Sequence, residues 1–448
     1  MAEYPKPIND PKLDSASRLE ALRTLAVGQI RQNKPSRGEI NNHIHTIYSF
    51  SPYTPSMAAL RAQDAGLCAA GSVDHDSIAA ANEMLAACAI LGIGGCVGFE
   101  MRVSFKSSPF AQRKINNPDS QGYAYMTVQG IPQQAIPKVV EFLVPIREHR
   151  LERTRAMGIA TNEVLREAGL EEINFERDIL FASKYAEGGG ITERHLLAAL
   201  AEKLILKYGK RTDIVAGLGK ALGITVAPKI AALLSDANNP HYLYDLLGAL
   251  KSEFLPRVYI QPDENECIPA EQVTGFAESI GAVPAYAYLG DVGESPTGDK
   301  KAEKFEDNYL EELFTELSRL GYRAVTYMPP RNTFTQLRRV RELCAEWGFM
   351  EISGVDINSS RQSFNCPEVL HNEFRHLLDT TWALIAHERL ASVDTRFGLF
   401  STDNPYARAD LSQRLAVYAA VGKKFDLFHP IESAAAIAAH WEKGNFQQ

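Results

Sequence analysis

Two histidines one residue apart, His43 and His45, have the types and spacing that most suggest chemistry. In a strand, alternate side chains lie on one face, so both imidazoles would project the same way, with Cα atoms about 7 Å apart. Two imidazole nitrogens placed like this supply half of a tetrahedral metal site. A lone His-x-His motif is also common at exposed strand ends, so the metal interpretation depends on finding further ligands.

Side chains of ligand type follow three other predicted strands. Asp74 and His75 follow the predicted strand 67–73, Glu100 follows 95–99, and Asp356 follows 349–353. Carboxylates combined with imidazoles suit zinc, manganese or iron better than calcium. Because strand–helix units with chemistry at the strand ends are typical of barrels and doubly wound sheets, the pattern predicts an α/β fold with its site at that rim.

The alternation of apolar and polar residues predicts three regions. They are an N-terminal arm at 1–37 without chemistry of its own, a barrel built from 38–131 and 255–448 that ends in a helical tail, and a helical insertion at 132–254. Further strands are predicted at 122–130, 257–260, 281–288 and 323–327. Predicted helices include 15–32, one N-capped by Ser56, 77–91, 134–157, 161–169, 192–209, 213–222 and 241–253.

Composition excludes several classes of function. The chain has 448 residues, of which 45% are hydrophobic and 23% charged, as in soluble globular proteins. The net charge of −8 argues against a nucleic-acid surface. We see no apolar run long enough for a membrane span and no signal-like N-terminus. Six scattered cysteines indicate reduced thiols and a cytoplasmic location, and a homo-oligomer is compatible with the sequence.

The order and placement of these motifs resemble the PHP (polymerase and histidinol phosphatase) superfamily of metal-dependent phosphoesterases. The resemblance spans roughly 38–360 and implies a distorted (β/α)7 TIM-like barrel with a metal cluster at the carboxyl-terminal strand ends. The insertion also resembles one branch of the family, at 153–170 and 191–200. The matching motifs are His43-x-His45, Val73-Asp74-His75-Asp76, Gly98-Phe99-Glu100 and Ser353-Gly354-Val355-Asp356.

The resemblance implies up to three metals, but only one ligand set is complete in this chain. That set is His43, His45, Glu100 and Asp356, and His75 remains from another. Relatives carry further histidines at four places where this chain has none. The predicted fourth strand has Tyr123, Tyr125 and Met126 instead, and a later strand reads Ala285-Tyr286-Ala287-Tyr288. The loop at 46–55 contains no histidine, and the last motif is Asp356-Ile357-Asn358. We therefore predict one secure divalent metal, Mn, Zn or Fe, which would act as a Lewis acid.

Other polar residues are candidates for catalysis or for binding a small anionic, phosphorylated substrate. Candidate acid–base residues are Asp74, His195 and Asp291. Candidate substrate-binding residues are Arg194, His241, Tyr286, Tyr288, Lys300, Lys301, Arg331, Asn358 and Arg361. Most lie in loops after strands, which surround one mouth in a barrel. Arg194 and His195 fall in the first turn of a helix that Thr192 is predicted to cap, a favourable place for an anion.

Two enzymatic functions fit these residues. The first is a metal-dependent hydrolase of a phosphorylated substrate, in which Asp74 or His75 assists and Arg194 or His195 binds the anion. The alternative is a metal-dependent lyase or isomerase of a sugar or sugar acid, with proton transfer by Lys300 and Lys301 or by Tyr286 and Tyr288. A third hypothesis is a binding module without catalysis, which is disfavoured because one complete set of metal ligands is retained.

Overall fold

Seven strands form a single sheet whose order follows the chain. The computed structural model describes residues 5–29, 38–117, 119–291 and 306–443. The strands are β1 (Glu39–Ile44), β2 (Leu67–His75), β3 (Gly94–Ser104), β4 (Tyr123–Gln129), β5 (Val283–Tyr288), β6 (Ala324–Tyr327) and β7 (Met350–Ser353). Neighbours are parallel except around β4, which is antiparallel to both β3 and β5. This reversed strand is the main departure from a regular (β/α) repeat.

The two edges of the sheet meet just after β7. Ile357 forms a parallel bridge with Ile44 at the end of β1. The amide of Asn41 reinforces the seam, because its oxygen accepts from the main-chain nitrogens of His43 and Val355 and its nitrogen donates to the Val355 carbonyl. The seven strands thus form a nearly closed barrel. The predicted fold class, an α/β distorted seven-stranded barrel with inserted helices, is confirmed.

A glycine permits this close approach. A Cβ atom at Gly354 would lie 2.6 Å from the main-chain nitrogen of His43 and 2.7 Å from its Cβ atom. Both distances are far below van der Waals contact, so any side chain at this position would force the segment after β7 away from β1. Gly354 therefore lets Asp356, two residues later, reach the histidines of β1.

Helices surround the barrel and fill the insertion. They are α1 (Ser15–Gln29), α2 (Pro55–Asp64), α3 (Ala81–Leu91), α4 (Ile136–Glu167), α5 (Glu193–Tyr208), α6 (Thr212–Leu222), α7 (Pro228–Ser235), α8 (Tyr242–Glu253), α9 (Leu255–Val258), α10 (Ala270–Ser279), α11 (Leu310–Arg319), α12 (Phe334–Trp347), α13 (His376–Val393), α14 (Leu411–Lys423) and α15 (Pro430–Glu442). The described part of each helix is too short or too polar to cross a membrane.

The apolar side chains form two cores. One includes the strands, the arm and the C-terminal helices, and the other lies within the helices between Met157 and Val258. Helix α4 joins the two, with Leu143 buried in the first and Leu165 in the second. The domain boundaries at 132 and 254 stay a prediction.

The structure corrects several predicted boundaries near the barrel. Thr54, not Ser56, caps α2: its hydroxyl accepts from the Met57 nitrogen, whereas the Ser56 hydroxyl donates to Glu83. Helix α3 begins at Ala81 rather than 77. The predicted strand at 257–260 is wrong, because Pro256 is the second residue of the helical turn α9 and its fixed φ favours a first helical turn over the strand preference of Val258.

Two further corrections concern the insertion. The predicted helices 134–157 and 161–169 are one continuous helix, α4. The helix continues through Gly158, and the ring of Phe175 packs at this position, where a Cβ atom would lie 3.2 Å from it. Helix α7 was not predicted from the sequence. Thr192 caps α5, as expected.

The N-terminal arm packs against the loop that follows β1. Arg18 of α1 is almost fully buried and donates to both carboxylate oxygens of Glu83, which also accepts from Ser56. Asn9 donates to the Pro52 carbonyl and accepts from the Thr54 nitrogen. The arm therefore stabilises the 48–56 loop, although it carries no candidate ligand.

We predict that Asn41→Ala destabilises the barrel. The substitution removes one buried and two partly buried hydrogen bonds at the seam and leaves main-chain groups without partners, which should lower the free energy of unfolding by about 2–4 kcal/mol. Urea denaturation measures this change. Asn265→Ala, at an exposed loop asparagine, is the matched control and should shift the midpoint little. Equal stability of both variants would show that the seam does not depend on Asn41.

Candidate metal centre

The side chains predicted to bind metal converge inside the barrel at the carboxyl-terminal end of the strands. His43, His45 and Glu100 each offer a ligand atom, and these atoms lie within 4.8 Å of one another. His43 lies on β1 and His45 directly follows its last residue, so alternation places both imidazoles on the inner face, and β3 places Glu100 opposite them. All three side chains are more than 90% buried.

The separations between the side chains suit ligands of one ion. Nε2 of His43 lies 3.6 Å from Glu100 Oε1, and Nε2 of His45 lies 3.7 Å from Glu100 Oε2. Nε2 of His45 is also 3.4 Å from Asp356 Oδ1. These gaps are long for hydrogen bonds. Ligand atoms of a tetrahedral site with bonds of about 2.0–2.2 Å stand roughly 3.3–3.6 Å apart.

His75 adjoins this group from β2. Its Nδ1 lies 2.9 Å from Glu100 Oε2, without the alignment of a hydrogen bond, and its ring centroid is 4.5 Å from that of His45. The register of β2 and β3 pairs His75 with Glu100, which puts both on the same face. His75 is thus available as a further ligand or as an acid–base group, and its role stays a prediction.

The protonation states of the group favour binding a cation. Burial and the nearby His75 lower the pKa of His45 to about 3, so its imidazole is neutral at neutral pH. Burial raises the pKa of Glu100, but the imidazoles of His75 and His43 outweigh burial and lower it to about 2. Burial likewise raises the pKa of Asp356, and His45 and His43 reverse this, so it lies below its usual value. Neutral imidazoles and ionised carboxylates are the forms that bind metals.

Asp74, predicted to act in catalysis, is instead held by the loop after β1. Its carboxylate accepts from the Thr46 nitrogen and hydroxyl and from the Ser49 hydroxyl, each at 2.6 Å. The Ser49 oxygen also lies 3.2 Å from Nδ1 of His45. Because Ser49 donates to Asp74, its oxygen accepts from His45 Nδ1, and the Nε2 lone pair is left facing the cluster. The geometry gives Asp74 an orienting role through Ser49.

Nε2 of His45 is a buried nitrogen without a hydrogen-bond partner among the residues that the structure describes. A buried polar atom of this kind costs free energy unless something binds it. A divalent cation fits the donor set of two imidazoles and two carboxylates well. The residues present therefore match the predicted single metal site, and the identity of the metal stays open.

The insertion lies against the mouth of the barrel through a run of glycines. The Gly190 nitrogen donates to the Tyr48 carbonyl at 2.7 Å, and a Cβ atom there would lie 2.6 Å from the His75 carbonyl oxygen. A side chain at Gly190 would therefore separate the insertion from β2. This contact brings the first turn of α5, with Arg194 and His195, to the edge of the site.

Arg194 and His195 occupy different environments in that turn. Arg194 is half-buried, and its Nη1 donates to the Asn358 carbonyl at 3.0 Å, two residues past Asp356. His195 is buried, its Nδ1 accepts from the Thr192 nitrogen, and its ring packs edge-on against Phe50. Phe50 has a φ of 77°, a strained conformation for an aromatic residue. Their predicted roles in catalysis and anion binding are untested by these contacts.

Two other predicted substrate-binding residues hold the insertion to the loop after β7. His241 Nδ1 lies 2.8 Å from the Ser360 hydroxyl. Arg361 donates to both carboxylate oxygens of Asp245 on α8, at 2.7 and 2.6 Å. The guanidinium of Arg361 is therefore already paired with a carboxylate, which makes it a poor candidate for binding substrate.

A buried network of charges at the same interface was missed by sequence reasoning. Its members are Asp76, Arg102, Arg150, Arg153, Glu193 and Glu266, which are linked by ion pairs. Three cations balance three carboxylates, and they come from the barrel, α4, α5 and the segment before α10. The only signal in the sequence was the Arg-rich character of α4. The network connects the insertion to β3 through mutually paired charges, and removing one partner would leave an uncompensated buried charge.

Tyr286 and Tyr288 do not face the site. Residues directly opposite each other on neighbouring strands face the same side of a sheet. Glu100 points into the barrel and is opposite Thr127 of β4, which in turn is opposite Ala285 of β5. The alanines of β5 therefore face the interior, and the tyrosines between them face outward. The Tyr286 hydroxyl donates to buried Glu306, and that of Tyr288 donates to Asp307 at 2.5 Å. The prediction that they bind substrate is corrected by this geometry, since alternation places them among the helices packed outside the barrel.

The remaining predicted residues lie further along the rim. Asp291 follows β5, where its nitrogen donates to Asp307 and its carbonyl accepts from Gln336. Arg331 ends the short 3-10 helix after β6. The roles of Asp291 and Arg331 in catalysis and substrate binding stay predictions. Lys300 and Lys301 lie outside the described residues.

Comparison with known proteins finds similarity at the level of solved structures. No protein-family model matches the chain, and no curated protein matches it. An amidohydrolase from Chromobacterium violaceum, solved with sulfate and without metal, is 18% identical over 73% of this chain and 90% of its own, with a TM-score of 0.48. A candidate metal-dependent phosphoesterase from Bifidobacterium adolescentis is 18% identical over 75% and 93%, with a TM-score of 0.47. Membership of the PHP superfamily stays a prediction.

We predict that His43→Ala and Glu100→Gln each abolish tight metal binding. His43→Ala removes a ligand nitrogen, and Glu100→Gln removes the negative charge and one carboxylate oxygen of the ligand; changes in outer-shell residues alone cost 10–100-fold in metal affinity. Metal content after loading with zinc or manganese and desalting measures the effect by elemental analysis. His429→Ala, at an exposed histidine of the C-terminal region, is the control and should keep the wild-type content. Wild-type occupancy in both ligand variants would contradict the assignment.

Proposed function

We propose that the protein is a metal-dependent hydrolase and that its substrate is a small anionic molecule carrying a phosphate ester. The observation that carries this proposal is the convergence of two imidazoles, from His43 and His45, and two carboxylates, from Glu100 and Asp356, at the carboxyl-terminal rim of the barrel. In barrels of this type the loops at that rim form the catalytic face. A bound divalent ion would act there as a Lewis acid toward an oxygen of the substrate.

Arg194 supports the anionic character of the substrate. Its guanidinium is half-buried at the mouth. Among the described residues it makes one hydrogen bond, from Nη1 to the Asn358 carbonyl. The nitrogens Nε and Nη2 thus remain for a ligand. A planar guanidinium with spare donors is well matched to phosphate oxygens. Other arginines nearby, such as Arg150 and Arg361, are already paired with carboxylates.

His195 is suited to donate a hydrogen bond rather than to accept a proton. Because its Nδ1 accepts from the Thr192 nitrogen, its proton is on Nε2. Burial and the charge of Arg150 lower the pKa of His195 to about 3, so the ring stays neutral over the physiological range. We assign it the role of a neutral donor beside Arg194. His75, next to Glu100, is the better-placed candidate for moving a proton.

The lyase or isomerase alternative loses part of its basis. Its proposed proton-transfer residues included Tyr286 and Tyr288, whose hydroxyls are bound to Glu306 and Asp307 outside the barrel. Its other candidates, Lys300 and Lys301, lie outside the described residues. No described contact favours that reaction over hydrolysis.

We predict metal-dependent phosphate release from at least one member of a panel of sugar phosphates and nucleotides. The purified protein is assayed with manganese, zinc or iron, and inorganic phosphate is measured. The double variant His43→Ala, Glu100→Ala is the control and should lose activity by more than about 100-fold, since it lacks two ligands. Zero release by the wild type across the panel with every metal would eliminate the phosphoesterase function.

We predict that Arg194→Ala weakens substrate binding. Losing charge-assisted hydrogen bonds of about 1.5–3 kcal/mol should raise KM roughly 10- to 100-fold with a smaller effect on kcat. Steady-state kinetics on the best substrate of the panel provides the measurement. Arg166→Ala removes a surface arginine that pairs with Glu172 on the same insertion and serves as the control. An unchanged KM in Arg194→Ala would rule out this arginine as the anion-binding group.

A further inference from the structure

Asp356 is the candidate ligand with the least support from regular structure. His43 and Glu100 lie on strands and are more than 90% buried, whereas Asp356 lies three residues beyond the end of β7 and its side chain is 34% exposed. A carboxylate on a loop keeps one orientation only when its neighbours hold it. The question is which residue does so here.

The main chain sets the position of Asp356 through its neighbour Ile357. The Ile357 nitrogen donates to the His43 carbonyl at 3.0 Å, and the His45 nitrogen donates to the Ile357 carbonyl at 2.9 Å. This bridge places Asp356 and Asn358 on either side of Ile357. Because side chains two residues apart in extended backbone share a face, Asn358 stands beside Asp356 on the side of the metal ligands.

The side chain of Asn358 contacts Asp356 directly. Its Nδ2 donates to Asp356 Oδ1 at 2.7 Å, and that same oxygen is 3.4 Å from Nε2 of His45. A carboxylate oxygen has two lone pairs, so it can accept from the amide and still bind a cation. The contact limits rotation of the Asp356 carboxylate and leaves the second lone pair of Oδ1 for the ligand site.

The backbone of Asn358 is itself fixed on both sides. The nitrogens of Asn358 and Ser359 both donate to the Gln362 side-chain oxygen, at 2.7 and 2.8 Å. The Asn358 carbonyl accepts from Arg194 Nη1 at 3.0 Å. One residue therefore connects the candidate anion-binding arginine of the insertion with the candidate metal ligand of the barrel.

We propose that Asn358 is a positioning residue that holds Asp356 in the orientation required to bind the divalent ion and links that ligand to Arg194. This inference rests on the proposed metal site. Asn358 was expected to bind substrate, and the structure assigns its amide nitrogen to Asp356 instead. Removing an outer-shell partner of a ligand typically weakens metal binding 10–100-fold without removing the site.

The test is titration of the metal-free, full-length protein with zinc chloride and with manganese chloride by calorimetry. Asn358→Ala removes the donor, and Asn358→Leu removes it while keeping the branched shape and the same number of side-chain heavy atoms. Both should bind each metal about 10–100-fold more weakly than the wild type. Ser360→Ala is the matched control, because it removes the contact to His241 from the same loop but leaves Asp356 untouched. Its affinity should stay within about twofold of wild type.

The outcomes separate this inference from the proposed function. Failure of the wild type to bind either metal would overturn both. Wild-type binding with unchanged affinity in both Asn358 variants would overturn the positioning role alone. Cobalt(II) gives a second readout: at saturation, the visible spectrum of Asn358→Ala should differ from that of the wild type, because Asp356 is no longer held in one orientation, whereas the spectrum of Ser360→Ala should match the wild type. Identical spectra of Asn358→Ala and the wild type would contradict the positioning role.

Discussion

The main-chain hydrogen bonds between Ile357 and β1 are the interaction on which the rest of the structure depends. They join the segment after the last strand to the first strand and so close the barrel. The same bonds fix where Asp356 lies relative to His43 and His45. Closure of the fold and assembly of the site are therefore one event, which the absence of a side chain at Gly354 makes sterically feasible.

The donor set of the site is suited to a cation. Two ionised carboxylates, Glu100 and Asp356, face imidazoles of which His45 is held neutral by burial and by the nearby His75. Nε2 of His45 is buried beside both carboxylates and has no hydrogen-bond partner among the described residues. At the boundary between the barrel and the insertion, by contrast, three arginines pair directly with three acids around Glu193. The cluster of His43, His45 and Glu100 is therefore where we expect a divalent ion to bind.

The sequence predicted those features that depend on local pattern. Alternation on β1 and the strand ends at Glu100 and Asp356 predicted an α/β fold and the residues of the converging cluster, and the resemblance to the PHP superfamily added the distorted seven-stranded barrel. The sequence does not show which face of β5 lies inside the barrel, because both faces of that strand are apolar. For that reason Tyr286 and Tyr288 were predicted on the wrong face. Pairings distant in sequence, such as Arg361 with Asp245 and Ser49 between Asp74 and His45, also required the tertiary structure.

The central claim is that four side chains from β1, β3 and the segment after β7 share a single cation. Anomalous scattering from crystals grown with zinc or manganese tests it most directly. The account predicts one anomalous peak within bonding distance, about 2.0–2.2 Å, of His43, His45, Glu100 and Asp356. A metal-loaded crystal without a peak at that position, or with its peak bound by other residues, would contradict it.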